Sequence, residues 1–249
     1  MSIKILKYSN QSLLDIADFT NDIATKNGAT SSEVEVSVAS GKSISVRLSK
    51  LETIELHNDK ALTVTVYIGC RRGIASTSDF NLPAIKDCVL AACQIAKYTA
   101  EDKAFGLAEA HLYSKITKDL ELHHAFDATE QFLIDNAVAC EGYALDFSDK
   151  INNSEGAQIN CSESLFSYAN SNGFVGGFPS SRYSLSCSVL GGVGSSMQRD
   201  SSYSSVRAFA DLKSTKEVGE DAASRTLMRL NPQKIDTGDR KSTRLNSSH

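Results

Sequence analysis

The 249-residue sequence has no tryptophan, three prolines, and six scattered cysteines without a Cys-x-x-Cys pair: Cys70, Cys88, Cys93, Cys140, Cys161 and Cys187. Cys88 and Cys93 would not share a helix face, so the cysteines read as reduced, partly buried small hydrophobes rather than as zinc ligands. The five histidines, His57, His111, His123, His124 and His249, form no i,i+4 pair, and none is followed by glutamate. Neither His-Glu-x-x-His nor His-Glu-x-x-x-His is therefore present, and no metal ligand, catalytic residue or cofactor-binding residue is assigned in this chain. Positive charge is also scarce, with 26 Lys plus Arg against 30 Asp plus Glu and a net charge of −4. That balance excludes the cationic surface by which a protein grips a phosphate backbone. No run approaches the roughly 18 apolar residues of a membrane span, and Met1 to Lys7 lacks a signal-peptide core, so the sequence reads as soluble and cytoplasmic.

What is present is a 41% hydrophobic, 22% charged chain whose length allows one or two domains, at roughly 100–200 residues each. Leu13, Ile16, Ala17, Ile23 and Ala24 follow helical spacing up to the stop signal Asn27-Gly28. Alternating residues at Val34 to Val38 and Ile44 to Leu48 flank Ser40-Gly41-Lys42, which predicts a hairpin. Thr53 to His57 and Leu62 to Ile68 flank Asn58-Asp59-Lys60, and with Ile74 to Ser78 they predict an antiparallel meander of about five strands. A helix follows from Pro83 to Tyr98, with Ile85, Cys88, Val89, Ala92, Ile95 and Ala96 on one face. This first half, with its helix-on-sheet core from Leu13 to Tyr98, is expected to hold without help.

After an irregular linker to Phe126, Asp127-Ala128-Thr129-Glu130 has the spacing of a capping box with Asp127 as N-cap, and Leu133, Ala137, Cys140 and Ala144 continue as a stripe. From Ile151 to Arg207 short apolar alternations are punctuated by turns at Asn170-Ser171-Asn172-Gly173 and Gly191-Gly192-Val193-Gly194, which predicts a second antiparallel sheet. Ser214-Thr215-Lys216-Glu217 is another capping box, opening a helix through Val218, Ala222, Thr226, Leu227 and Leu230. The fold class is α+β, two domains at 1–124 and 125–235, each an antiparallel sheet packed with helices. Residues 239–249 back-translate in one frame into the adapter ligated to DNA fragments for short-read sequencing. They are expected to be non-native and weakly ordered, and the natural chain to continue beyond Gly238 into a missing C-terminal domain.

The motifs that might carry chemistry have simpler readings. Gly191 to Gly194 is followed by neither Gly-Lys-Ser/Thr nor a helix, so it is a hairpin turn rather than a phosphate cradle. The serines between Ser180 and Ser196 lie outside any Gly-x-Ser-x-Gly, and the only histidine after His124 is His249, so they read as solvated strand residues. His123 and His124 are adjacent and point apart, the pattern of linker histidines rather than of one ion's ligands. Arg182, Arg199, Asp200, Arg207 and Asp211 read as solvated or in salt bridges.

An ordered series of segments nonetheless resembles the TldD/PmbA family, and its PmbA (TldE) branch in particular. It comprises Leu62 to Tyr67 with Arg72 to Asp79, then Ile95 to Asp102, Asn153 to Gly156, Asn170 to Phe174, Ser181 to Ser186, Met197 to Asp200 and Arg225 to Leu230. The resemblance implies the N-terminal part of a cytoplasmic PmbA-type subunit. Such a subunit pairs with a TldD-like subunit as a heterodimer that cleaves unfolded peptides, in peptide maturation and antitoxin degradation. It further implies that zinc belongs to the TldD-type partner and none to this chain, with neither nucleic acid nor membrane as a partner. Two alternatives stay open. One is a metal-bearing TldD-type metallopeptidase subunit whose motif would lie downstream, and the other a non-enzymatic binding module.

Overall fold

The structure is a computed structural model that describes residues 8–114 and 118–238. The elements run α1 (Asn10–Lys26), β1 (Ser31–Arg47), β2 (Lys50–Ile68), β3 (Arg71–Thr77), α2 (Leu82–Tyr98), α3 (Glu130–Leu145), β4 (Ile151–Asn170), β5 (Val175–Gly191), β6 (Gln198–Val206) and α4 (Thr215–Arg229). The class is α+β, with antiparallel strands and helices in both halves. The strands of the two halves form one six-stranded sheet of order β3-β2-β1-β4-β5-β6. Its central joint is the long pairing of β1 with β4, from Glu33 opposite Asn170 to Val46 opposite Ala157.

Fewer and longer strands replace the expected meander, because the polar tripeptides read as turns lie inside continuous strands. Ser40-Gly41-Lys42 is mid-β1 and Asn58-Asp59-Lys60 is mid-β2, each paired with the other strand. Glycine is needed at position 41 for close approach rather than for a turn. A Cβ there would fall on the His57 ring and 2.8 Å from the Cys161 carbonyl oxygen. The real turn is Leu48-Ser49, both in the left-handed region at φ 49° and 60°, with no Gly, Asn or Asp to announce it. In the second half, Phe174 to Phe178 and Tyr183 to Val189 likewise merge into β5.

All four helices cover one face of the sheet, over two separate cores. The first sets Leu13, Ala17 and Ala24 of α1 and Ile85, Val89, Ala92 and Ala96 of α2 against Val34, Val36, Val38, Leu62, Val64 and Val66. It also takes Leu165 and Ala169 from β4, so the first half does not close its core alone, contrary to the expectation of independence. The second core sets Leu133, Ala137, Cys140 and Ala144 of α3 and Val218, Ala222 and Ala223 of α4 against Ile44, Val46, Ile159, Tyr183, Leu185 and Val189. β1 and β4 each feed both cores at successive inward positions, following the period-two alternation of side chains, whereas β2 serves only the first and β5 only the second.

Helix starts explain themselves locally. Ser9 caps α1 in a box with Ser12, and Ser214 caps α4 in the expected box with Glu217. At α3 the N-cap is Thr129, whose hydroxyl accepts the Phe132 N–H, rather than Asp127. Glu130 then lies in the first turn and reaches Lys42 on the sheet instead of the backbone behind it. The residues read as adapter, 239–249, lie outside the described residues.

Candidate functional site

The helices leave the opposite face of the sheet bare, and that face is dressed in small hydroxyls. Ser37, Ser45, Ser162, Ser164, Ser180, Ser184 and Ser186 stand on it, each partly accessible, whereas most of their sequence neighbours on the helix side, Glu163 and Pro179 apart, are buried. They bond to one another across strands: Ser164 with Ser180 at 2.8 Å, Ser45 with Thr53 at 2.7 Å, and Gln158 donating to Ser43 at 2.8 Å. Phe166 and Phe178 form a tilted pair with centroids 5.6 Å apart, and Tyr203 is exposed at the far end of the face, opposite Ser186. A shallow open groove on this face is lined by Ser45, Glu155, Gln158, Ser186, Ser188 and Tyr203. At its rim Glu155 accepts from Arg199 at 2.8 Å and from Ser188 at 2.9 Å. Those partners, Arg199 first, hold its carboxyl below the usual carboxylate range.

At one end of this face Glu33 accepts two phenol hydroxyls, Tyr67 and Tyr168, each at 2.8 Å. Burial, then Glu33, pushes the Tyr67 hydroxyl up to about 12. Burial raises Tyr168 as well. The linker crosses here, with Arg72 4.3 Å from the Phe105 ring centroid and Tyr113 stacked on Phe174 at 5.0 Å.

On the helix side a polar seam separates the two cores. The buried Lys42 ammonium meets Glu130 at 2.7 Å, Ser40 donates to Asn58 at 2.6 Å, and His123 lies 3.4 Å from Glu163. The seam is closed by the linker, whose Leu122 and His124 carbonyls accept the Ser181 N–H and the Tyr183 hydroxyl. His123 thus sits against a strand carboxylate, while the His124 ring turns to the Glu121 carbonyl. The two adjacent imidazoles share no partner, as their alternation requires. Cys161 lies beside Lys42 on this seam, yet burial outweighs the lysine and pushes its thiol up to about 11, the opposite of a nucleophile's setting.

One buried charge had no signal in the sequence. Glu141 on α3 is fully buried, and its two carboxylate oxygens accept the backbone N–H groups of Leu48 at 2.8 Å and Ser49 at 2.7 Å. Those are the two left-handed residues of the β1–β2 turn. A glutamate in mid-helix ordinarily reads as solvent-facing, and only the fold brings the turn to it.

The remaining charges noted in the sequence are distributed. Arg229 pairs with Asp200 at 2.7 Å, and Arg182 donates to Ser205 at 3.4 Å. All six cysteines are unbridged, and five of them are buried. Among the described residues no group of three or more His, Cys, Asp or Glu side chains is arranged to hold a metal ion. No helix among them is long and apolar enough to cross a membrane.

Comparison with known proteins shows which family this chain is similar to. Residues 32–96 match the family model described as PmbA/TldA metallopeptidase domain 1, and residues 123–230 match the model for the central domain. A metalloprotease PmbA homolog from Haemophilus influenzae is 44% identical over 236 residues, covering 95% of this chain and 52% of the relative. Metalloprotease PmbA from Escherichia coli O157:H7 is 36% identical over 234 residues, covering 94% and 50%. This chain therefore spans about half the length of the curated relatives it matches. A crystal structure from Bacteroides thetaiotaomicron, titled as a modulator of DNA gyrase, superimposes with a TM-score of 0.82 at 27% identity, covering 90% of this chain and 51% of that one. TldE from Thermococcus kodakarensis shares the fold, with a TM-score of 0.70 at 17% identity, covering 84% and 47%. The two domain models, which together match most of the sequence, and PmbA relatives aligned over nearly all of it place the chain in the PmbA/TldD metallopeptidase family, on its PmbA branch.

Proposed function

We propose that this chain is the N-terminal part of a PmbA/TldE-type subunit of a cytoplasmic TldD/TldE metallopeptidase that acts on unfolded peptides, with zinc supplied by the TldD-type partner. The observation that carries the reading is the 44% identity to a PmbA homolog along nearly the whole chain. The bare, hydroxyl-rich sheet face supports it. A site that must admit extended peptides and exclude folded proteins can be enclosed between related subunits, and a flat sheet stiffened by helices on its far side suits the wall of such an enclosure. Most serines on that face bond to other hydroxyls, amides and backbone groups, and the one that donates to a carboxylate, Ser188 to Glu155, meets a group that Arg199 holds in its charged form as a weak base. In this reading the chain contributes shape and binding, and the partner contributes the chemistry.

The test is a reconstitution. Cleavage of an unfolded peptide is measured with this chain in its full-length protein, with a TldD-type subunit, and with both, and zinc is counted for each by mass spectrometry. Activity that needs both subunits and is abolished by a chelator, with zinc in the TldD-type subunit alone, is the expected result. About one zinc per PmbA-type chain, or peptide cleavage by that chain alone, would overturn the proposal.

A further inference from the structure

We infer that Glu141 is a positioning residue that locks the β1–β2 turn to α3, so that the turn and the exposed edge stretch of β2 that it leads into move with the second core rather than fraying from the sheet edge. That stretch, Lys50 to Ala61 of β2, is exposed and hydrogen-bonded on one edge only, to β1. β1 itself is fixed, paired on its other edge with β4 as far as Val46 opposite Ala157, so it is the turn and the edge stretch of β2 that depend on what holds the tip. The tip lacks the residues that would hold it locally. Leu48 and Ser49 both adopt left-handed backbone angles that favour glycine or asparagine, and neither side chain hydrogen-bonds within the turn.

The fold supplies the missing stabilisation from elsewhere. Both tip N–H groups point at one carboxylate, one to each oxygen, and that carboxylate is wholly shielded from water. Charge-assisted bonds to backbone N–H groups are about twice as strong as neutral ones. A buried carboxylate also cannot easily give up its two donors, because no solvent would replace them. Behind Glu141, α3 is held just as closely. Gly219 of α4 packs so tightly on the Cys140 carbonyl that a Cβ would not fit. The contacts therefore run from α4 through α3 and Glu141 to the tip. Arg47, the last residue of β1, adds a second tie, donating to the Ser154 carbonyl at 3.0 Å.

Amide hydrogen exchange on the chain and two variants tests this. In Glu141→Gln one oxygen acceptor remains, so one tip amide should keep its protection and the other should exchange about ten- to a hundredfold faster. In Glu141→Leu both Leu48 and Ser49 amides should lose protection, while Val34 to Val38 and Val64 to Val66 in the first core keep theirs. Adding Ser49→Gly to Glu141→Leu should recover stability without restoring amide protection, because glycine removes the backbone cost but brings no acceptor. Unchanged protection of both tip amides in the folded Glu141→Leu protein would overturn the lock. So would a uniform loss of protection in Glu141→Gln across the tip and the first core, which would make Glu141 an ordinary core residue.

Discussion

The two cores lie on the same face of one sheet yet are built by different rules. In the first, α1 and α2 set four large side chains, Leu13, Ile23, Ile85 and Val89, among six small ones, Ala17, Ala24, Cys88, Ala92, Cys93 and Ala96, over a Val-rich sheet. In the second, α3 and α4 present only two large ones, Leu133 and Val218, among Ala137, Cys140, Ala144, Ala222 and Ala223. Small faces let the helices approach each other and the sheet closely, and the volume is filled instead by the sheet's own Ile44, Ile159, Tyr183 and Leu185 and by a ring cluster at the rim. There Phe126 and Phe209 stack at 3.8 Å, with Tyr183 edge-on to Phe126 at 5.9 Å. Both cores rest on close backbone contact, at Gly73 on Ala92 and at Gly219 on Cys140, but the second has fewer large helix side chains to take up a displacement and should be the less forgiving of the two.

The largest expected effects come from emptying each core. Leu13→Ala and Leu133→Ala both remove a fully buried leucine, and each should cost about 2–5 kcal/mol in urea denaturation. Because β1 and β4 run through both cores, either variant should lower the midpoint of a single transition. Two separable transitions would break the comparison into two independent domains.

Next come the close helix approaches. A Cβ at Gly73 would strike the Ala92 carbonyl of α2, and one at Gly219 would strike the Cys140 carbonyl of α3. Gly73→Ala and Gly219→Ala should each cost about 1–3 kcal/mol. If small-residue packing makes the second core less forgiving, thermal unfolding should show Gly219→Ala to be the more damaging, and the reverse order would refute that reading of the difference.

The seam between the cores gives a smaller, pH-dependent effect. The hydrogen bond and charge of Lys42 hold Glu130 below the ordinary glutamate range. A carboxyl lowered in the folded state stabilises fully above its unfolded value of about 4.3 and loses that contribution as pH falls through the lowered value. Wild type should thus exceed Glu130→Gln in stability by a constant margin from about pH 5 to 8, and the margin should close in more acid solution. Lys42→Met, which removes the buried charge itself, should be tolerated better than Glu130→Gln. The smallest effect belongs to Lys216→Ala, which breaks an exposed pair with Glu220 at 3.8 Å and should change stability by less than about 0.5 kcal/mol.

The same contrast governs what could be read without the structure. Helices announced themselves through local chemistry: the stripe from Leu13 to Ala24, the helix after Pro83, the α3 stripe and the Ser214 box all reappear. Strand ends did not, because the seam imitates turns. Ser40-Gly41-Lys42 is polar for a tertiary reason, as the place where β1 passes between two cores and takes partners from β2 and α3, and Asn58-Asp59-Lys60 lies beside it where β2 leaves the first core and becomes exposed. Conversely, the true turn at Leu48-Ser49 is held by a glutamate 93 and 92 positions away, which no local pattern reveals. The continuity of the sheet was equally hidden, since pairing between β1 and β4 leaves no mark in either strand beyond alternation. The bare face was visible as serine content, but which strands shared it became clear only from their register.

The central structural claim is that two differently built cores form one unit because single strands serve both. Native-state hydrogen exchange along β1 tests it most directly, comparing Val36 above the first core with Ile44 above the second. The account predicts that both amides exchange through the same global opening, with matching free energies and matching sensitivity to denaturant. Exchange of Ile44 through a separate, lower-energy opening while Val36 stays protected would contradict it.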